Sequence, residues 1–150
     1  MAEDRAPIWP DGVVGSITHT GAFAAAAVAW AADIAGLGID SEQIIDPAAA
    51  GDIADICMVN EATLFKAAHG HSFCEFCTFV FSAKEAVFKC LFPHTRKFLE
   101  FSDVRITSFD WNRRYFAWTT ASEHSGMGQL SHANGIMHTS VELSSLAAAE

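Results

Sequence analysis

Asp40 and Glu42 stand two positions apart in the run Gly38-Ile39-Asp40-Ser41-Glu42. On an extended strand such positions share a face, so the two carboxylates can converge on one hard cation. Magnesium takes a few carboxylates together with the phosphate oxygens of a ligand, which makes this pair a workable metal site beside a phosphate. A solvated pair at a strand end is the plainer alternative. A second group is Ser82-Ala83-Lys84-Glu85-Ala86-Val87-Phe88-Lys89. As a helix it sets Glu85 and Lys89 one turn apart on one face, with Val87, Phe88, Leu91 and Phe92 on the apolar side. An acid for a metal and a cation one turn later for a phosphate suit phosphoryl transfer. A capping box from Ser82 to Glu85 and an ordinary Glu85–Lys89 ion pair would explain the same residues without chemistry.

Two further groups carry reactive side chains. In Gly15-Ser16-Ile17-Thr18-His19-Thr20 the alternating hydroxyls can donate to phosphate oxygens, and a protonated His19 adds charge. The set His69, His71, Cys74 and Cys77 offers four zinc-compatible ligands, although it lacks the usual gap between two ligand pairs. If Cys74 to Phe81 is a strand, Cys74 and Cys77 face opposite ways and cannot share a metal. A zinc-binding module built on these four is the alternative, and reduced core thiols the simpler reading.

The elements that must position these groups follow from punctuation and period. Trp9-Pro10-Asp11-Gly12 is a turn, and Val13 to Thr20 alternates as a strand. Ala22 to Ala35 reads two ways: alanine favours helix, yet no polar face repeats and Gly36 and Gly38 follow closely. Leu37 to Ile45 is a strand with Gly38, Asp40 and Glu42 on one face. Ala48 to Ala68 spaces Ile53, Ile56, Cys57, Leu64 and Phe65 as one or two helices ended by Gly70. A short aromatic strand, Cys74 to Phe81, leads into a helix from Ser82 to Phe92, with Ser82 as N-cap and Pro93 as stop. Val104 to Phe109, Tyr115 to Thr120 and Ile136 to Leu143 are strands, the last after Asn134-Gly135. The expected architecture is α+β: a small antiparallel sheet packed against two or three helices in one domain over residues 1–150, with a core from about 5 to 143 and a frayed tail over 144–150.

The chain of 150 residues carries 9 Lys+Arg against 18 Asp+Glu, a formal net charge of −9, and is 51% hydrophobic. The acid excess excludes a nucleic-acid binder, which needs clustered basic residues. Its low charged fraction and twelve Phe exclude disorder. No secretory signal opens it, and the apolar run Ala22 to Ala32 is shorter than the about 20 residues that span a bilayer. A cytoplasmic location with reduced thiols is expected. So much apolar surface on so small a domain suggests a face turned to a partner.

In order and separation, Trp9-Pro10, Gly15-Ser16-Ile17-Thr18-His19, Gly38-Ile39-Asp40-Ser41-Glu42 and Phe81-Ser82-Ala83-Lys84-Glu85-Ala86-x-Phe88-Lys89 resemble the phosphopantetheinyl transferases of the surfactin and enterobactin-synthase type. The resemblance runs from about residue 5 to 143. It implies half of a pseudo-dimeric fold, the first half being missing or replaced by self-association. It also implies transfer of 4′-phosphopantetheine from coenzyme A to a serine of an acyl or peptidyl carrier protein, as in siderophore or polyketide biosynthesis. Carried over by position, it makes Asp40, Glu42 and Glu85, with Glu61 as a further acid, the magnesium site. Glu85 and Lys89 become the catalytic pair, and Arg5, Thr18, His19, Lys84 and Lys89 the contacts to coenzyme A. Ser41 departs from the family's apolar residue between the two acids. A truncated half that keeps binding without activity is the second reading.

Overall fold

The computed structural model describes residues 6–67 and 70–144. Arg5, His69 and the tail 145–150 lie outside the described residues. The chain is α+β, as expected. A hairpin of β1 (Val13–Thr20) and β2 (Phe23–Trp30) comes first, and β3 (Ile34–Gln43) follows it. Helix α1 (Pro47–Cys57) and helix α2 (Phe73–Thr95) precede four strands, β4 (Val104–Asp110), β5 (Tyr115–Thr120), β6 (Ser125–Ala133) and β7 (Ile136–Ser144). Strand β3 joins the last four in an antiparallel sheet of order β3-β7-β6-β5-β4. The first strand of the chain's main sheet therefore pairs with its last, Asp40 opposite Thr139 and Ser41 opposite His138.

The segment read two ways becomes β2, in register with β1 from Phe23 opposite Thr20 to Trp30 opposite Val13. Pairing outweighs alanine's helix propensity here, because the full β1–β2 ladder satisfies the segment's backbone groups and tertiary context overrides a weak local preference. Four large apolar side chains remain exposed on or beside this hairpin: Ile8 (71%), Ile17 (46%), Val28 (62%) and Trp30 (67%). Others, among them Ile56, Val59, Phe98 and Met127, are exposed elsewhere on the described residues.

The hairpin is tied to β3 by side chains rather than by a backbone ladder. The Ile39 N–H donates to Ser16 Oγ and the Ser41 N–H to Thr18 Oγ1, both at 2.9 Å. Ser16 and Thr18 are buried by this contact. Each bond satisfies a backbone donor on β3 that its other neighbour, β7, does not use.

The reading of Cys74 to Phe81 as a strand and Ser82 as a helix start is corrected. Both stretches belong to α2, whose N-cap is Ser72, its Oγ accepting the Glu75 N–H at 3.1 Å. Ser82 is buried mid-helix and shares a 2.8 Å hydrogen bond with Thr139 of β7. Pro93 does not stop the helix. It sits in the last turn, and the chain leaves the helix at Arg96 in the left-handed region, φ 53°. The aromatic residues that suggested a strand instead serve helical packing. Phe76 and Phe79 are fully buried and meet Phe109 and Phe116 at ring-centroid distances from 5.4 to 5.8 Å. Their burial outweighs the weak β preference of single aromatic residues.

Strand β6, SGMGQLSHA, has no strand signature and was not expected. Its neighbours make it: it pairs with β5 on one side and β7 on the other. Asn134 and Gly135 both have positive φ, 54° and 75°, the geometry of the two-residue turn that joins β6 to β7.

Candidate active site

Helix α2 lies across one face of the main sheet, and Gly38 sets how closely β3 can approach it. A Cβ at Gly38 would collide with the Ala86 carbonyl oxygen, so only glycine lets the strand touch the helix backbone. Two residues on, Asp40 emerges on the same face, almost fully buried. Lys89 of α2 reaches down to it. Its Nζ donates to Asp40 Oδ1 at 2.9 Å and to the Ile39 carbonyl at 3.0 Å.

Asp40, Glu42, Glu85 and Lys89 thus come together from one strand and one helix. Burial pushes the Glu42 carboxyl from 4.5 up to about 8; the charge of Asp40, a side-chain hydrogen bond with Asp40 and the charge of Glu85 push the same way, while Lys89 opposes them. The Glu85 carboxyl is also raised, by burial first and by Asp40 next, again against Lys89. Three acids and one lysine leave an excess of negative charge. Asp40 Oδ2 is buried with no hydrogen-bond partner among the described residues. A buried carboxylate that pairs with Lys89 through one oxygen only, beside two carboxyls that resist ionising, is a site that fits a divalent cation. As they stand, no three His, Cys, Asp or Glu side chains among the described residues are drawn into a ready three-ligand cluster. Magnesium does not need one, since one or two carboxylates with ligand phosphates suffice.

The other expected residues lie elsewhere. Glu61 is fully buried, and its Oε1 stands 2.6 Å from Lys84 Nζ. Lys84, also buried, donates to the Phe101 carbonyl at 2.9 Å. These two expected ligand contacts are therefore engaged with each other in the interior. Thr18 and His19 point to opposite faces of β1: Thr18 is buried against Ser41, whereas His19 is exposed. The proposed zinc set is dispersed. Cys77 faces the interior and its Sγ donates to the Ala50 carbonyl at 3.8 Å, Cys74 is half-buried, and His71 pairs with Glu75 at 3.1 Å and stacks on Trp111 at 4.2 Å. Because Cys74 and Cys77 lie three apart on α2 rather than on a strand, the strand-based objection to zinc does not apply; Cys77 is instead engaged with the Ala50 carbonyl and Cys57.

Sequence reasoning missed the groups on the other face of β3. Ser41 Oγ and His138 Nδ1 are 2.8 Å apart, and the Phe23 ring packs on the imidazole at 4.9 Å. Both line a cavity of about 490 Å³ that Ile39, Asp40, Arg113 and Arg114 also border. Pairing of β3 with β7 places His138 there, and that pairing joins residues almost a hundred positions apart.

A sequence model of the 4′-phosphopantetheinyl transferase superfamily matches residues 36–138, and one of the phosphopantetheinyl transferase N-terminal domain matches residues 1–29. The chain belongs to the 4′-phosphopantetheinyl transferase superfamily. Among its relatives, 4′-phosphopantetheinyl transferase Svp of Streptomyces mobaraensis is 43% identical over 102 residues, 67% of this chain and 41% of that protein. The transferase PptT of Mycobacterium tuberculosis is 34% identical over 118 residues, 73% of this chain and 49% of that protein. Enterobactin synthase component D of Escherichia coli is 34% identical over 114 residues, 76% and 52% respectively. The chain spans about half the length of the curated relatives it matches. No helix among the described residues is long and apolar enough to cross a membrane.

Proposed function

We propose that the chain transfers the 4′-phosphopantetheine group of coenzyme A to a serine of an acyl or peptidyl carrier protein, with magnesium as its cation. The observation that carries this is the convergence of Asp40, Glu42, Glu85 and Lys89, with one Asp40 oxygen buried and unpartnered. Asp40 and Glu42, with Glu85, would hold the ion. Bound magnesium supplies charge neutralisation at a pyrophosphate.

The chain's own residues do the rest. Lys89 is fixed by Asp40 and the Ile39 carbonyl, so its ammonium is oriented in advance and costs little reorganisation when phosphate charge develops nearby. Glu85 would accept the proton of the attacking serine hydroxyl, directly or through water. Gly38 keeps strand and helix close enough for these roles to coincide.

Incubation of an apo carrier protein with coenzyme A and magnesium tests the reading by intact-mass analysis. The expected result is a phosphopantetheine adduct that Asp40→Ala and Glu85→Ala each reduce by about 100-fold or more. Labelling that survives both substitutions, or none at all with the folded wild-type chain, overturns it.

A further inference from the structure

Ser41 stands between Asp40 and Glu42 on β3, and strand alternation turns its side chain to the sheet face opposite α2. Its N–H donates to Thr18 Oγ1 on the hairpin side, so that group does not bond β7. Ser41 and His138 are therefore a non-hydrogen-bonded pair of the β3–β7 ladder. Such pairs bring side chains closest, with Cα atoms about 4.5 Å apart. By alternation Asp40 and Glu42 stand in the hydrogen-bonded pairs on either side, opposite Thr139 and Met137. The backbone ladder thus holds both acids to β7 and skips the residue between them.

A side-chain bond fills that gap. Ser41 Oγ and His138 Nδ1 are 2.8 Å apart, and Ser41 is almost fully buried. The imidazole is held in turn by Phe23 at the start of β2, whose ring lies 4.9 Å away at 57°. Ser41 is thus fixed from β7 through its hydroxyl and from the hairpin through Thr18 and through Phe23 on His138. The strand at this residue decides how the two acids sit. Side chains on one face of a strand leave it about 6.5–7 Å apart, whereas the Glu42 carboxyl shares a hydrogen bond with that of Asp40. Their approach depends on the direction each takes from the backbone, and a change of twist at Ser41 turns one carboxyl against the other. Magnesium demands near-ideal octahedral geometry, so a small turn is felt in its binding.

We propose that Ser41 and His138 are positioning residues, whose hydrogen bond fixes the strand between Asp40 and Glu42 and so sets the affinity of the acid cluster for a divalent cation. This deepens the transfer reading and rests on it for the role of Asp40 and Glu42 as cation ligands. Both residues act through the strand, from the face opposite the carboxylates. Groups that hold metal ligands from behind in this way cost about 10–100-fold in affinity when replaced.

Titration with manganese(II), read by loss of the free-ion electron paramagnetic resonance signal, tests the role without coenzyme A or a carrier protein. Asp40→Ala should abolish binding, which locates the ion at the acid cluster. Ser41→Ala and His138→Phe are each expected to weaken binding about tenfold, and the double variant no more than either alone, because both remove the same bond. Thr120→Ala serves as the control. It removes a buried hydroxyl bonded to His124 at the end of β5, with β6 and β7 between it and β3, and should leave the affinity unchanged. Wild-type affinity in the single variants, additive losses in the double, an equal loss in Thr120→Ala, or binding that survives Asp40→Ala overturns the positioning role. Carrier-protein labelling reports separately on transfer, so weakened manganese binding in Ser41→Ala without labelling by the wild-type chain would overturn the transfer reading and leave the positioning role standing.

Discussion

Lys84 and Glu61, both sealed from solvent, meet at 2.6 Å in the interior of a chain that holds few other buried charges. Their positions suggested a coenzyme A contact and a metal ligand. Removing one partner strands a buried charge, so Glu61→Ala or Lys84→Ala is expected to cost about 3–5 kcal/mol. The double replacement Lys84→Met, Glu61→Leu should recover most of it. Urea unfolding midpoints check this, and recovery of stability without loss of labelling would separate structure from chemistry.

The raised carboxyls give stability a definite pH dependence. Folded Glu42 titrates at about 8 against 4.5 for the free group, so over that interval the folded state binds the proton more tightly than the unfolded chain does. Stability from this group is therefore present at low pH and lost as pH rises towards about 8. Without divalent cation, urea midpoints should fall between about pH 5 and about pH 8, and Glu42→Gln should flatten the decline. Added magnesium should offset it, because the cation takes the proton's place.

Gly38→Ala is expected to force β3 from α2 and to misplace Asp40 relative to Lys89. Overpacking of this kind costs about 1–3 kcal/mol. Labelling activity should fall further than stability predicts, and a crystal structure of the variant would show the widened strand–helix spacing.

Thiol reactivity distinguishes the four cysteines. Cys57 is pushed up by its hydrogen bond with Cys77 and by burial, and burial pushes Cys90 up to about 12. Cys74 is the half-buried one. In the folded chain an alkylating reagent at neutral pH should modify Cys74 first, the others reacting only on unfolding, as peptide mass mapping would show.

Residues whose neighbours are local were legible from the sequence. The strands Val13–Thr20 and Tyr115–Thr120, and the helical relation of Glu85 to Lys89, follow from spacing within one segment. The approach of Asp40 to Lys89 was implied by family resemblance rather than by periodicity. What stayed hidden depends on distant partners. Strand β6 exists because β5 and β7 flank it, and α2 begins at Ser72 because Phe76 and Phe79 find their pocket among Phe109 and Phe116. His138 reached the cavity only through the pairing of β3 with β7.

The Ser16 and Thr18 hydroxyls act as a lid on an open sheet edge. Strand β3 ends the main sheet, and an uncovered edge of that kind recruits further strands from other chains. Two side-chain oxygens occupy the N–H groups of Ile39 and Ser41 on either side of Asp40, where a further strand would pair. Peeling the hairpin away would therefore turn the strand that bears Asp40 and Glu42 into a template for self-assembly, so the same contacts that frame the candidate site also guard the chain against aggregation.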